Sequence, residues 1–234
     1  MQQSAETIAV VNNLLHGLRH ELGNLAAVLN FDCEALAEAV PSDMERDPLL
    51  DLKMSLHDLK MLLARLRTYP QPSSTVARLD LIHVVLSAVE TNRMAEQVPI
   101  NCRLPAQPVW LDGNQSDLNH ALFEIVVNAC EATLSAKSQL PVEVTLQTEG
   151  NAAIITISDN GPGFSISEIN EGMPFLPGYT TKTRDGFMRG LGMGLFMANA
   201  VVELHHGTIC LENRTEGGAL VTITLPLSLA QQGR

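Results

Sequence analysis

The sequence predicts an α+β protein in two parts. An N-terminal helical hairpin forms a dimeric four-helix bundle, and an α/β sandwich follows it. Three observations predict this. Apolar residues of the first third recur at spacings of three and four, a proline- and aspartate-rich break splits that run in two, and short β-branched runs mixed with helical ones fill the rest.

The first helix carries Ile8, Val11, Leu15, Leu18, Leu22, Leu25 and Leu29, a heptad a/d seam to which Leu36 returns and which Asp32 interrupts. Pro41, Ser42, Asp43 and Asp47-Pro48 break the chain. A second seam follows: Leu49, Leu52, Leu56, Leu59, Leu63 and Leu66. One hairpin of this size cannot cover its own apolar faces, whereas two form a four-helix bundle, so a homodimer is expected. Tyr69-Pro70-Gln71-Pro72-Ser73-Ser74 ends the second helix as a linker. Residues 1–72 form one expected domain and residues 73–234 the other.

Beyond the linker, helices are expected over Asp80–Glu96, Ser116–Ala136 with Ser116 as N-cap, and Leu195–Leu204. Strands are expected at Ile100–Leu104, Val109–Asp112, Val142–Gln147, Ala153–Ser158, Thr208–Glu212 and Leu220–Leu225. Pro105 and Pro108 separate the first two strands. Strands and helices do not alternate regularly, which places the helices on one sheet face.

Composition narrows the function. A net charge of −11 argues against a general nucleic-acid binder, which needs a basic face. Aromatics are 4% of the chain, so aliphatic side chains must build the core. Cys33, Cys102, Cys130 and Cys210 are far apart and form no ligand pair, which reads as reduced cytosolic thiols. No apolar run approaches the roughly 18 residues of a membrane span, and the N-terminus lacks a basic start followed by an apolar stretch. The expectation is a soluble, cytoplasmic protein. It is either controlled by a separate regulatory protein or is part of something longer.

Several motifs carry chemistry. With Leu22 at heptad position a, His20 falls at f on the exposed side, Glu21 at g and Asn24 at c, one turn beyond His20. An imidazole that attacks phosphorus needs a carboxylate to hold the proton on its other nitrogen, and Glu21 is placed for that. Glu124 and Asn128 are four apart on one helix face amid apolar neighbours. The Asn128 amide oxygen is a hard ligand suited to Mg²⁺. Asp159-Asn160-Gly161-Pro162-Gly163 ends an apolar strand, either as a plain turn or as a ligand loop. Gly190-Leu191-Gly192-Met193-Gly194-Leu195 opens a helix, where backbone amides can face phosphate. Between these two loops lies Thr180-Thr181-Lys182.

In this order the motifs resemble the histidine protein kinases of two-component signalling, from about His16 to Leu227. The resemblance implies a Bergerat-type ATP-binding fold for the second half, shared with DNA gyrase. It implies that His20 accepts the phosphoryl group, with Glu21 serving the kinase reaction and Asn24 a phosphatase reaction. Asp159 is then the acceptor for the adenine amino group, because a carboxylate accepts but does not donate. Gly161 and Gly163 turn the chain past the base. Thr181, Lys182, Gly190, Gly192, Gly194 and Leu195 belong to the lid and phosphate loop, and Asn128 holds Mg²⁺. Glu124 stands where gyrase-type ATPases carry a water-activating glutamate, and in a histidine kinase that position more often supports the metal.

The chain departs from the family in several places. Leu25 stands where a proline often follows the +4 residue, and Gly23 where a basic residue is common. The spacer from Lys182 to Gly190 is a few residues longer than is usual in the family. His57-Asp58-Leu59-Lys60 is a second candidate acceptor box, but its +4 residue is Met61. His205-His206-Gly207 reads as a helix terminus, since adjacent histidines do not readily share one ion.

The expected function is an ATP-dependent protein-histidine kinase, with ATP and Mg²⁺ as cofactors. It autophosphorylates His20 and passes the phosphoryl group to an aspartate of a response-regulator receiver domain. Two alternatives are a non-catalytic phosphotransfer or docking dimer with a relic ATPase domain, and a gyrase-like ATPase.

Overall fold

The computed structural model of the chain describes residues 76–96, 98–181, 183–184, 187–188 and 192–228. The expected hairpin, with His20, Glu21, Asn24 and the rival His57, lies outside these residues, as do Lys182 and Gly190.

Strand β1 (Ala77–Asp80) pairs antiparallel with β3 (Trp110–Gly113). The sequence pattern gives no sign of β1, whose partner comes from far along the chain. Helix α1 (Leu81–Glu96) follows directly. Asp80 starts it: its Oδ1 accepts from the Ile82 amide at 3.1 Å and from the Val109 amide at 3.0 Å. One carboxylate thus satisfies a first-turn amide and ties the helix to the approach to β3. Leu81, Val84, Val85, Ala88 and Val89 are buried, the stripe that a 3.6-residue period dictates.

Helix α2 (Gln115–Ser135) runs through the centre. Its N-cap is Asn114 and not the expected Ser116: Asn114 Oδ1 accepts from the Asp117 amide at 3.2 Å. The physical reason is long-range. The Asn114 amide itself donates to His205 Nε2 at 2.9 Å, which fixes the chain one step before the helix. Lys137 and His206 take positive φ beyond the ends of two helices.

The main sheet contains β2 (Ile100–Arg103), β4 (Val142–Glu149), β5 (Ala152–Ser158), β8 (Thr208–Asn213) and β9 (Ala219–Pro226). Their order is β2-β4-β5-β9-β8, parallel between β2 and β4 and antiparallel elsewhere. Val144, Leu146, Ile155, Ile157, Val221, Ile223 and Leu225 are buried on one face, as the two-residue period requires. Each such burial is worth roughly 1.5–3 kcal/mol. The alternate residues are more open, and Thr145 Oγ1 meets Thr156 Oγ1 at 2.6 Å across the ladder.

Between β5 and β8 lie α3 (Ile166–Asn170), a 3₁₀ turn (Met173–Phe175), the short pair β6 (Thr183–Arg184) and β7 (Phe187–Met188), and α4 (Gly194–Leu204). The sequence patterns do not announce α3, which a capping box of Ser165 and Glu168 holds. The long spacer before Gly190 carries the β6–β7 hairpin, in register Thr183 to Met188 and Arg184 to Phe187. α2 packs against both α1 and α4, so the expected layering of helices on one sheet face holds for the described residues. No helix among them is long and apolar enough to cross a membrane.

Candidate functional site

The site lies along one face of α2. Glu124, Asn128 and Ala132 are successive i, i+4 neighbours, so they stack along the helix. Each end of the stack meets a glycine. A Cβ on Gly194, the first residue of α4, would stand 2.5 Å from Glu124 Oε2. A Cβ on Gly161 would stand 2.6 Å from Ala132 Cβ and 2.9 Å from the Ala132 carbonyl carbon. Eight residues of helix span about 12 Å, a distance that a nucleoside triphosphate can bridge. Asn128 lies midway and is half-buried.

Asp159 follows β5 and is 6% exposed. Its Oδ1 accepts from the amides of Gly161 at 2.8 Å and Ala219 at 3.1 Å. Its own amide donates to the Ala219 carbonyl at 3.0 Å. No hydrogen bond from the described residues reaches Oδ2. Burial pushes the carboxyl above its ordinary pKa, opposed by the two amides and by the Arg214 guanidinium. The neighbouring Asn160 amide donates to Thr133 Oγ1 at 3.2 Å, and the Asn160 side chain donates to the Pro141 carbonyl at 2.8 Å. Thr133 is fully buried on α2, so the loop after β5 is anchored on the same helix that carries Glu124 and Asn128.

The glycines have distinct local reasons. Gly161 is needed for close approach to α2. Gly163 has φ 74°, and a Cβ there would meet Asn213 Oδ1 at 2.6 Å. Gly192 has φ 61° and lies against the Gly178 and Tyr179 backbone, with the Gly178 amide donating to the Gly192 carbonyl at 3.1 Å. That contact brings Gly178 and Gly192 together across the chain. Thr181 is exposed, and Leu195 packs against the core at the start of α4. Met193 precedes that helix and provides no side-chain cap. A capping side chain there would compete with phosphate for the first-turn amides.

His205 is structural, as the sequence implies. It ends α4, and its Nδ1 donates to the Val201 carbonyl at 2.7 Å while Nε2 accepts from Asn114. Burial pushes its pKa below the ordinary value. Among the described residues no cluster of three or more His, Cys, Asp or Glu could cage a metal. The donor set of Asn128 and Glu124 fits Mg²⁺ that arrives with phosphate oxygens and keeps much of its water.

Residues 113–229, half of the chain, match the family of histidine kinase-, DNA gyrase B- and HSP90-like ATPases. The chain belongs to this ATPase family. Among its relatives is the C4-dicarboxylate transport sensor protein DctB of Pseudomonas aeruginosa, 25% identical over 228 residues, which cover 94% of this chain and 36% of that protein. The signal transduction histidine-protein kinase AtoS of Escherichia coli is 23% identical over 228 residues, covering 96% of this chain and 36% of AtoS. The chain therefore spans about a third of the length of these relatives. The fold of full-length ShkA, solved in complex with AMPPNP, matches with a TM-score of 0.64 at 18% identity, over 95% of this chain and 46% of ShkA.

Three residues that anchor the loop after β5 carry no motif: Thr133, Asn213 and Arg214. Thr133 anchors the loop after β5 from below. Asn213 exchanges two hydrogen bonds with the Phe164 backbone, at 2.8 Å and 2.7 Å. Arg214 donates to the Asp159 carbonyl at 2.8 Å. A conspicuous sequence signal exists only for Gly217-Gly218, the turn that brings Arg214 back to β5.

Proposed function

We propose that the chain is the kinase core of an ATP-dependent protein-histidine kinase. One observation carries the reading: a buried carboxylate at Asp159 has one oxygen held by two backbone amides, and a helix face beside it leads to the glycine-opened start of α4. The Asp159 acceptor suits the adenine amino group. The α4 amides suit the phosphates. Asn128 and Glu124, between them, would hold Mg²⁺ and its water, and the ion when bound neutralises charge on the phosphate oxygens.

His20 supplies the nucleophile. Its imidazole nitrogen forms a bond to the γ-phosphorus as the bond to the β–γ bridging oxygen breaks and ADP leaves. Glu21 takes up the imidazole proton. The phosphohistidine then passes its phosphoryl group to an aspartate of a response-regulator receiver domain. Asn24, one turn on, orients a water that attacks the regulator's phospho-aspartate, breaking its acyl-phosphate bond and releasing inorganic phosphate. The working unit is a homodimer paired through the leucine seams and located in the cytoplasm, under the control of a sensor or regulatory protein.

Incubation of the full chain with γ-labelled ATP tests this. The label should be acid-labile and base-stable, as phosphohistidine is, and Asp159→Asn should lose it. ATP binding without any label transfer would favour the non-catalytic docking dimer instead.

A further inference from the structure

The turn between β8 and β9 grips the loop after β5 at both ends, and the two grips differ in chemistry. At the far end Asn213 pairs with the Phe164 backbone. At the near end Arg214 Nη1 donates to the Asp159 carbonyl at 2.8 Å and to Asn160 Oδ1 at 3.3 Å. Its Nη2 is braced by Glu216 Oε2 at 3.4 Å. The Arg214 side chain is 25% exposed, so its charge is partly removed from water. The turn is shaped for this approach. The Arg214 amide donates to the Gly218 carbonyl at 3.0 Å, Gly218 has φ 86°, and a Cβ there would collide with the Asp159 carbonyl.

We infer that Arg214 is a positioning residue for base recognition: it fixes the Asp159 peptide so that Oδ1 stays on the Gly161 and Ala219 amides and Oδ2 is presented to a 6-amino purine. A guanidinium suits this role because its planar donors can hold two acceptors at once while its charge favours a nearby carboxylate. Its field also opposes the upward push of burial on the Asp159 carboxyl, alongside the two backbone amides. Without that hold on the Asp159 carbonyl the peptide can turn and carry the acceptor oxygen off its amino-facing position, so losing Arg214 should blur the choice between amino and oxo purines.

The inference rests on Asp159 being the base acceptor, and the test separates the two. ADP and IDP, which differ at the 6-position, are titrated into the full chain by calorimetry. Wild type should prefer ADP. An absent preference, unchanged in Asp159→Asn, would remove the nucleotide reading itself. Given the preference, Arg214→Gln should lower the ADP-to-IDP affinity ratio about tenfold, the scale of one charge-assisted hydrogen bond. Arg214→Lys, which keeps charge and one donor, should retain most of the ratio and decides the matter if Arg214→Gln does not fold, since the Lys variant should still lie measurably below wild type. Asn213→Ala loosens the same loop at its other end and should lower thermal stability without changing the ratio. An unchanged ratio in both Arg214 variants, or an equal loss in Asn213→Ala, would overturn the inference.

Discussion

The carboxylate of Glu124 lies against Gly194, the residue that opens α4, so closely that a methyl group on Gly194 would stand 2.5 Å from Glu124 Oε2. The acid of the central helix and the positive end of α4 therefore share one small space. Gly194→Ala should fold: no positive φ is required there, and the atom the methyl displaces is the tip of a flexible side chain. It should nonetheless weaken ATP binding about tenfold by filling the phosphate approach. Calorimetry and thermal unfolding on one preparation check this, and a variant that is stable yet binds ATP normally would contradict the phosphate assignment.

Asn128 occupies the middle of the same helix face. Asn128→Ala should weaken ATP binding strongly when Mg²⁺ is present and little when the metal is chelated. Titrations with and without a chelator measure the difference. Equal losses in both conditions would mean that Asn128 supports the fold and not the ion.

Gly161 meets Ala132 side chain and backbone alike. Gly161→Ala should therefore cost about 1–3 kcal/mol of stability through overpacking. Ala132→Gly in the same chain should recover part of it, because the Cβ contact disappears while the 2.9 Å approach to the backbone remains. Urea unfolding of the two single variants and the double variant gives the coupling directly.

How far the sequence reaches follows from where each determinant sits. Helices α1, α2 and α4 and the central strands are legible because their own apolar periods fix which face is buried. Glu124, Asn128, Asp159, Gly161 and Gly194 stand out as candidates because their chemistry is unusual for the local pattern. What escapes is set by partners distant in the chain. β1 is four residues beside a linker and exists through β3. The α2 cap is Asn114 because His205 holds its amide, although Ser116 is an equally good capping residue by type. Arg214 reads as an ordinary turn arginine until the β8–β9 turn folds it onto Asp159.

His205 gives a pH dependence. Its Nε2 must accept from Asn114 while Nδ1 donates to Val201, so the neutral ring is the structural form. Its folded pKa lies below the ordinary 6.5. The unfolded chain binds the proton first, so the stability from neutral His205 is complete above pH 6.5 and is lost as pH falls towards the folded pKa. Asp117 acts in the opposite sense: burial raises its pKa from 3.8 to about 6, so its contribution is present at low pH and lost as pH rises through that window. Urea unfolding at several pH values isolates the histidine by difference. Wild type should lose more stability between pH 7.5 and 5 than His205→Gln, and parallel curves would exclude His205 as the titrating group.

The proposed phosphoryl transfer to His20 is tested most directly by comparing wild type with His20→Gln. Both are exposed to γ-labelled ATP, and ADP binding is measured on the same samples. The expected result is an acid-labile label on wild type, no label on His20→Gln, and the same ADP affinity in both. Full labelling of His20→Gln would contradict the assignment and move the acceptor to His57.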